Sequence, residues 1–136
     1  MHETFEHTAD VGLRMRAATL NELFAEAGRA LASLLVEDVS AIVPRAATEV
    51  TLRAGRIDDL LFDWLAELVY MFSAKRLIFA SFAVDIRGTA LTALLRGEVF
   101  DPGRHGSGTE VKAVTYHGLK VQQEGDGFLA EVIVDI

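Results

Sequence analysis

Two stretches of this chain repeat their apolar residues every three to four positions, and the rest of its patterned sequence alternates by two. That mixture constrains the fold more than any other feature, because a period of 3.6 marks one face of a helix and a period of 2 one face of a strand. The first helical stretch opens at Thr19-Leu20-Asn21-Glu22, which has capping-box spacing. Leu20, Leu23, Phe24, Ala27, Ala30, Leu31, Leu34 and Leu35 then lie along one face, with Pro44 beyond the expected end. The second runs from about Asp58 to Phe72, with a stripe of Leu60, Leu61, Trp64, Leu65, Leu68, Val69 and Phe72. Its other face carries Asp59, Asp63 and Glu67, like charges that repel weakly at four-residue spacing.

Alternation by two covers the remainder. Leu13, Met15 and Ala17 interleave with Arg14 and Arg16, and Val50, Leu52 and Ala54 with Glu49, Thr51 and Arg53. Phe82, Val84 and Ile86 run into a tight-turn signal at Arg87-Gly88, and Leu91 to Val99 forms the returning arm. Val111 to Tyr116 and Leu119 to Gln123 flank a turn at His117-Gly118. Glu124-Gly125-Asp126-Gly127 is a further turn before a last strand, Phe128 to Asp135. Strand, helix, strand, helix and then hairpins predicts an α+β fold in two layers, with two α-helices packed on a largely antiparallel β-sheet. No repeat or linker divides residues 1–136, so one domain is expected, of a size that buries a core without staples.

Composition narrows the function classes. There is no cysteine, which removes disulfides, thiolate metal sites and thiol catalysis, and suits a cytoplasmic protein. Twenty acidic against 13 basic residues give a formal charge of −7. A surface of that sign repels a phosphate backbone, so direct nucleic-acid binding is not expected, and a basic partner or a metal ion suits it better. The longest nearly apolar run, Leu77 to Val84, is far below the roughly 20 residues of a membrane helix. The opening His-Glu-Thr-Phe-Glu has neither the basic nor the apolar region of a secretion signal.

Four segments carry chemistry-bearing residues. Phe5 to Gly12 holds Glu6, His7 and Asp10, which offer oxygen and nitrogen to a divalent ion; a turn in which Asp10 bonds its own backbone accounts for the same residues. The closing Val132 to Ile136 places Asp135 in line with Ile133 and beside the final carboxylate of Ile136. Two anions that close need a cation, donors or full solvation, and a frayed solvated end is the alternative. Gly97 to Gly108 reads as a surface loop, with Glu98 and Asp101 as candidate neighbours of a site; its glycines lack the lysine and following helix of a phosphate loop. In Thr109 to Gly118, Lys112, Val114 and Tyr116 share one strand face. Lys112 and Tyr116 would face an anion or a partner there, or simply belong to an ordinary strand. No serine sits in a usual nucleophile context, and the histidines at 2, 7, 105 and 117 lack metalloprotease spacing.

Phe5 to Gly12, the run Gly108-Thr109-Glu110-Val111-Lys112-Ala113-Val114-Thr115-Tyr116-His117, and the end Val134-Asp135-Ile136 together resemble the archease family, and the resemblance spans essentially the whole chain. It implies a protein cofactor that is not itself an enzyme. Archeases activate the GTP-dependent RNA ligase of the RtcB type in tRNA splicing and RNA repair, speeding its guanylylation and allowing repeated turnover. By position, the resemblance implies a metal held by the side chains of Asp10 and Asp135 and by a terminal or main-chain oxygen of Ile136. His7, Glu98, Asp101, Lys112 and Tyr116 are candidate neighbours of that site or candidates for facing the partner. All-oxygen ligation favours calcium first, then magnesium or manganese, over zinc. The competing expectations are a chaperone or modulator of RNA-modifying enzymes, and a metal-dependent phosphohydrolase.

Overall fold

A computed structural model describes residues 1–7 and 9–136, with the backbone alone for Glu6 and His7. The strands are β1 (His2–His7), β2 (Asp10–Ala17), β3 (Ala46–Arg53), β4 (Leu77–Arg87), β5 (Ala90–Val99), β6 (Ala113–Val114), β7 (Lys120–Glu124) and β8 (Gly127–Asp135). The helices are α1 (Leu20–Leu35), α2 (Ile57–Lys75) and the short α3 (Pro102–His105), with a 3₁₀ turn at Val39–Ala41. The fold is α+β with antiparallel strands, as expected, but the strands form two sheets. One has the order β1-β2-β8-β6, with β7 also on β8; the other has the order β3-β5-β4.

α1 starts where the capping box predicts: the Glu22 amide donates to the Thr19 hydroxyl at 3.1 Å. Its apolar face serves both sheets, packing on β2 and on β4. Gly28 makes the approach to β4 feasible, since a Cβ there would sit 2.6 Å from the Phe82 ring. α2 is longer than its apolar stripe, running to Lys75 and stopping at Arg76, whose φ of 57° is left-handed. The two helices are joined in the core by Trp64. It is fully buried, and its indole N–H donates to the Phe24 carbonyl at 2.9 Å. One continuous apolar cluster links α1, α2 and the inner faces of both sheets.

Three local expectations differ from what is found. β1 precedes the first strand read from the sequence, because His2 to His7 carries too few apolar residues to alternate visibly; β2 supplies the pairing partner instead. The strand expected over Val111 to Tyr116 shrinks to Ala113–Val114, because only these two pair with the end of β8. The glycine-rich stretch after Glu98 is not an open loop. It coils into α3 around a fully buried His105, and Gly108 and Thr109 donate to the Leu35 and Leu34 carbonyls at the end of α1.

Candidate metal centre

The antiparallel ladder between β2 and β8 pairs Arg14 with Glu131, Gly12 with Ile133 and Asp10 with Asp135. Directly opposed residues share a sheet face, with Cβ atoms typically about 4.5–5.5 Å apart. Residues 11, 13 and 15 of β2 and residues 130, 132 and 134 of β8 belong to the apolar core, so the two aspartates are on the outer face. In the sequence they lie in separate segments, 125 positions apart. The register makes them neighbours.

The neighbouring Asp10 carboxyl lies within hydrogen-bonding reach of Asp135 and, with partial burial and its own charge, holds the Asp135 carboxyl above the usual aspartate range. The Lys112 ammonium opposes that shift. Two carboxylates in such contact cannot both ionise comfortably without a cation. Main-chain bonds fix the surroundings: the Lys112 amide donates to the Asp135 carbonyl at 2.9 Å, and the Ile136 amide reaches the Ala9 carbonyl at 3.5 Å. Ala113 stands opposite Asp135 on the other side of β8 and presents only a methyl group there. Ala9, just ahead of Asp10, has a φ of 59°, a strained value for a residue with a Cβ.

The donor chemistry fits a hard divalent cation. Among the described residues no group of three His, Cys, Asp or Glu side chains converges. Among the described residues the set is two carboxylates, to which Ile136 would add a main-chain or terminal oxygen. That is all oxygen and short of a full shell, which suits calcium, magnesium or manganese with water or a partner completing it. His7 is opposite Asp10 in the β1–β2 ladder, but its side chain lies outside the described residues.

Beyond the pair, the outer face is a lattice of opposite charges. The Arg14 guanidinium lies over the Phe5 ring at 4.8 Å and pairs with Glu3 at 3.1 Å and Glu131 at 3.4 Å. Lys120 joins Glu131 at 3.3 Å. Burial pushes the Glu131 carboxyl up, but Arg14 and Lys120 outweigh it and hold it below the ordinary range. The Phe5 ring packs against Gly12, where a Cβ would come within 2.1 Å of its Cζ, so this glycine is what allows the ring beside Asp10's strand. Nothing in the sequence pattern singles out Phe5 or Arg14 for this role, although both lie close to the Glu6, His7 and Asp10 segment.

The remaining candidates are dispersed. Tyr116 stacks on Phe62 of α2, with centroids 3.9 Å apart and planes 6° from parallel, and stays 63% exposed. Val114, expected on its face, is turned into the core. Glu98 belongs to β5 in the other sheet. Its buried carboxylate accepts from the Val43 amide (2.8 Å), Arg45 Nε (3.0 Å), an Arg104 nitrogen (2.8 Å) and His105 Nε2 (2.8 Å). Arg104 first, then the Val43 amide, holds that carboxyl far below its usual range. Asp101 caps α3 by accepting from the Gly103 amide at 2.9 Å. Its own amide donates to His105 Nδ1 at 2.9 Å, so a neutral His105 carries its proton on Nε2, facing Glu98. Glu98 and Asp101 thus organise the β5–α3 corner.

Comparison with known proteins gives one answer at every level. The model of the Archease protein family (MTH1598/TM1083) matches residues 2–136. The archease of Methanopyrus kandleri is 38% identical over 138 residues, covering 98% of each chain, and that of Sulfurisphaera tokodaii is 35% identical over 136 residues, covering 98% of this chain and 97% of its own. The solution structure of Methanobacterium thermoautotrophicum protein 1598 superposes with a TM-score of 0.86 at 30% identity, over 99% of this chain and 98% of that one. A Thermotoga maritima crystal structure, described as an archease and possible chaperone, gives 0.67 at 25% identity, over 100% and 98%. With a family model spanning the whole described site and relatives matched end to end, this chain belongs to the archease family.

Proposed function

We propose that this chain is a metal-binding protein cofactor of a GTP-dependent RNA ligase of the RtcB type, serving tRNA splicing and RNA repair. It promotes guanylylation of the ligase and its repeated turnover, and catalyses no step itself. The observation that carries the reading is the contact between Asp10 and Asp135, two carboxylates set opposite each other in a chain of this family. Asp10 and Asp135 would hold the ion through their side chains and Ile136 through a main-chain or terminal oxygen. Bound there, a divalent ion supplies positive charge to phosphate oxygens of the nucleotide. The incomplete protein shell leaves positions for ligase or nucleotide groups, and the net acidic surface favours a basic docking face on the ligase.

The test uses the double variant Asp10→Ala, Asp135→Ala, with folding verified by circular dichroism. Titration calorimetry with calcium, magnesium and manganese chlorides reads binding; ligase guanylylation and multiple-turnover joining read function. Loss of both is expected. Stimulation at the parental level by the folded double variant would sink the metal-presenting role. A second reading, client binding as a chaperone, has the description of the T. maritima relative in its favour. Suppression of a model client's aggregation without any ligase would support that reading instead.

A further inference from the structure

β3 is an edge of the β3-β5-β4 sheet, and among the described residues no other strand pairs with it. The Ala54 amide donates to the Thr89 carbonyl at 3.1 Å, continuing the β3–β5 ladder past Arg53 and Ala90. Hydrogen-bonded pairs alternate along an antiparallel ladder. Leu52, Val50, Thr48 and Ala46 therefore exchange bonds with β5, and Ala47, Glu49, Thr51 and Arg53 turn their amides and carbonyls to the open side. All four of these residues are exposed. The opposite edge of this sheet is partly blocked: on β4 the Asn21 side chain takes the outward Ile86 amide at 2.7 Å, and a bulge interrupts the ladder between Phe79 and Ser81. β3 carries neither device, and unprotected edges of this kind recruit another strand.

We infer that the bare edge of β3 pairs with β3 of a second copy of this chain, antiparallel about a two-fold axis at Thr51. Only residues that turn their amides outward can exchange bonds, so the permitted registers differ by two residues. Centring on Glu49 sets two carboxylates face to face, and centring on Val50 or Leu52 sets Thr51 opposite Glu49 or Arg53, with no pair of opposite charges. Centring on Thr51 sets Glu49 opposite Arg53 of the copy, twice, and Val50 opposite its Leu52, twice. The segment Glu49-Val50-Thr51-Leu52-Arg53 is thus self-complementary on both faces: acid meets base outside, and aliphatic meets aliphatic on the core side. Three residue pairs exchange about six main-chain hydrogen bonds, and the two three-stranded sheets become one six-stranded sheet.

The full chain tests this directly, because it has no cysteine of its own. In the proposed register the two Thr51 Cα atoms are about 5.5 Å apart, within disulfide range, so Thr51→Cys is expected to give a disulfide-linked dimer under mild oxidation. Glu49→Cys places its two thiols about 14 Å apart along the strands and is expected to stay unlinked. In sedimentation equilibrium, Glu49→Arg is expected to weaken association about tenfold, and the swap Glu49→Arg with Arg53→Glu to restore it. A parent that stays monomeric at every concentration overturns the inference. So does a Thr51→Cys chain that links no better than Glu49→Cys, or a charge swap that fails to restore association.

Discussion

Replacing Glu26 by Gln tests how α1 is tied to the start of the chain. Glu26 lies in α1 with its side chain 11% exposed, and three donors surround it: Arg29 Nε at 2.7 Å, His2 Nδ1 at 2.7 Å and the amino group of Met1 at 3.1 Å. Burial pushes the carboxyl up; Arg29, His2 and the amino group outweigh it and hold it at about 2, against an ordinary 4.5. At about 1.4 kcal/mol per pH unit, that displacement corresponds to about 3 kcal/mol of folding stability. Arg29 and Met1 are 48% and 69% exposed, so water screens part of it, and about 2 kcal/mol is the expected share. The folded carboxyl titrates below the unfolded one. The stabilisation is therefore complete above pH about 4.5 and disappears as the pH falls towards about 2. Urea unfolding of parent and Glu26→Gln should differ by about 2 kcal/mol at pH 7, a midpoint displacement of about 1 M, and the gap should close with acid. A gap below about 0.5 kcal/mol at pH 7, or one that persists unchanged to pH 2.5, refutes the assignment.

Glu98→Gln leaves the donors of Val43, Arg45, Arg104 and His105 facing an amide that cannot accept from all of them. Its thermal midpoint should fall by about 5 °C or more in scanning calorimetry, with calcium affinity of the folded protein unchanged. Gly28→Ala gains about 1 kcal/mol of helix propensity but drives a methyl group into the Phe82 ring, so a net loss of about 1–2 kcal/mol is expected in urea unfolding. In metal-free buffer Asp135→Asn should raise the thermal midpoint by relieving its contact with Asp10, and only the parent should gain further on adding calcium chloride, reversing their order.

Much of this architecture was legible because it rests on local rules. The Thr19 cap, both apolar helix faces and the turns at Gly88 and Gly125 follow from neighbours within a few positions, and each stands where its residues predict. The division into two sheets was not legible, since nothing in alternation by two says which strands pair. β1 was hidden because its polar residues are satisfied by other elements: Glu3 by Arg14 of β2, and His2 by the largely buried Glu26 of α1. Of the site, the residues were nameable one by one, but their meeting depends on the β2–β8 register, a contact between chain ends that no local pattern encodes. Glu98 and Asp101 suggested a site by their charge. Their partners at the β5–α3 corner come from Val43 and Arg45 as well as Arg104 and His105, and sequence spacing could not supply that grouping.

The placement of that pair carries an argument of its own. Elsewhere on the outer face of the same sheet, among the described residues, each acid meets a base: Glu3 and Glu131 meet Arg14, and Glu124 meets Arg16 at 2.8 Å. Two outward pairs along the same two strands, beyond Gly12 and Ile133, with the same register and the same outward face, the rule reverses and acid meets acid. The reversal stands directly after Ala9, whose left-handed backbone is itself unfavourable. Two adjacent local costs, in a face that otherwise matches its charges, are poorly explained by stability, because an asparagine at position 135 would remove the larger one. They are well explained if the folded chain is completed by a cation, which turns the repulsion into shared ligation. On that account the same contact that weakens the metal-free protein sets how strongly an ion is drawn to the end of β8. Stability without metal and affinity for metal should then move in opposite directions across substitutions at Asp10 and Asp135.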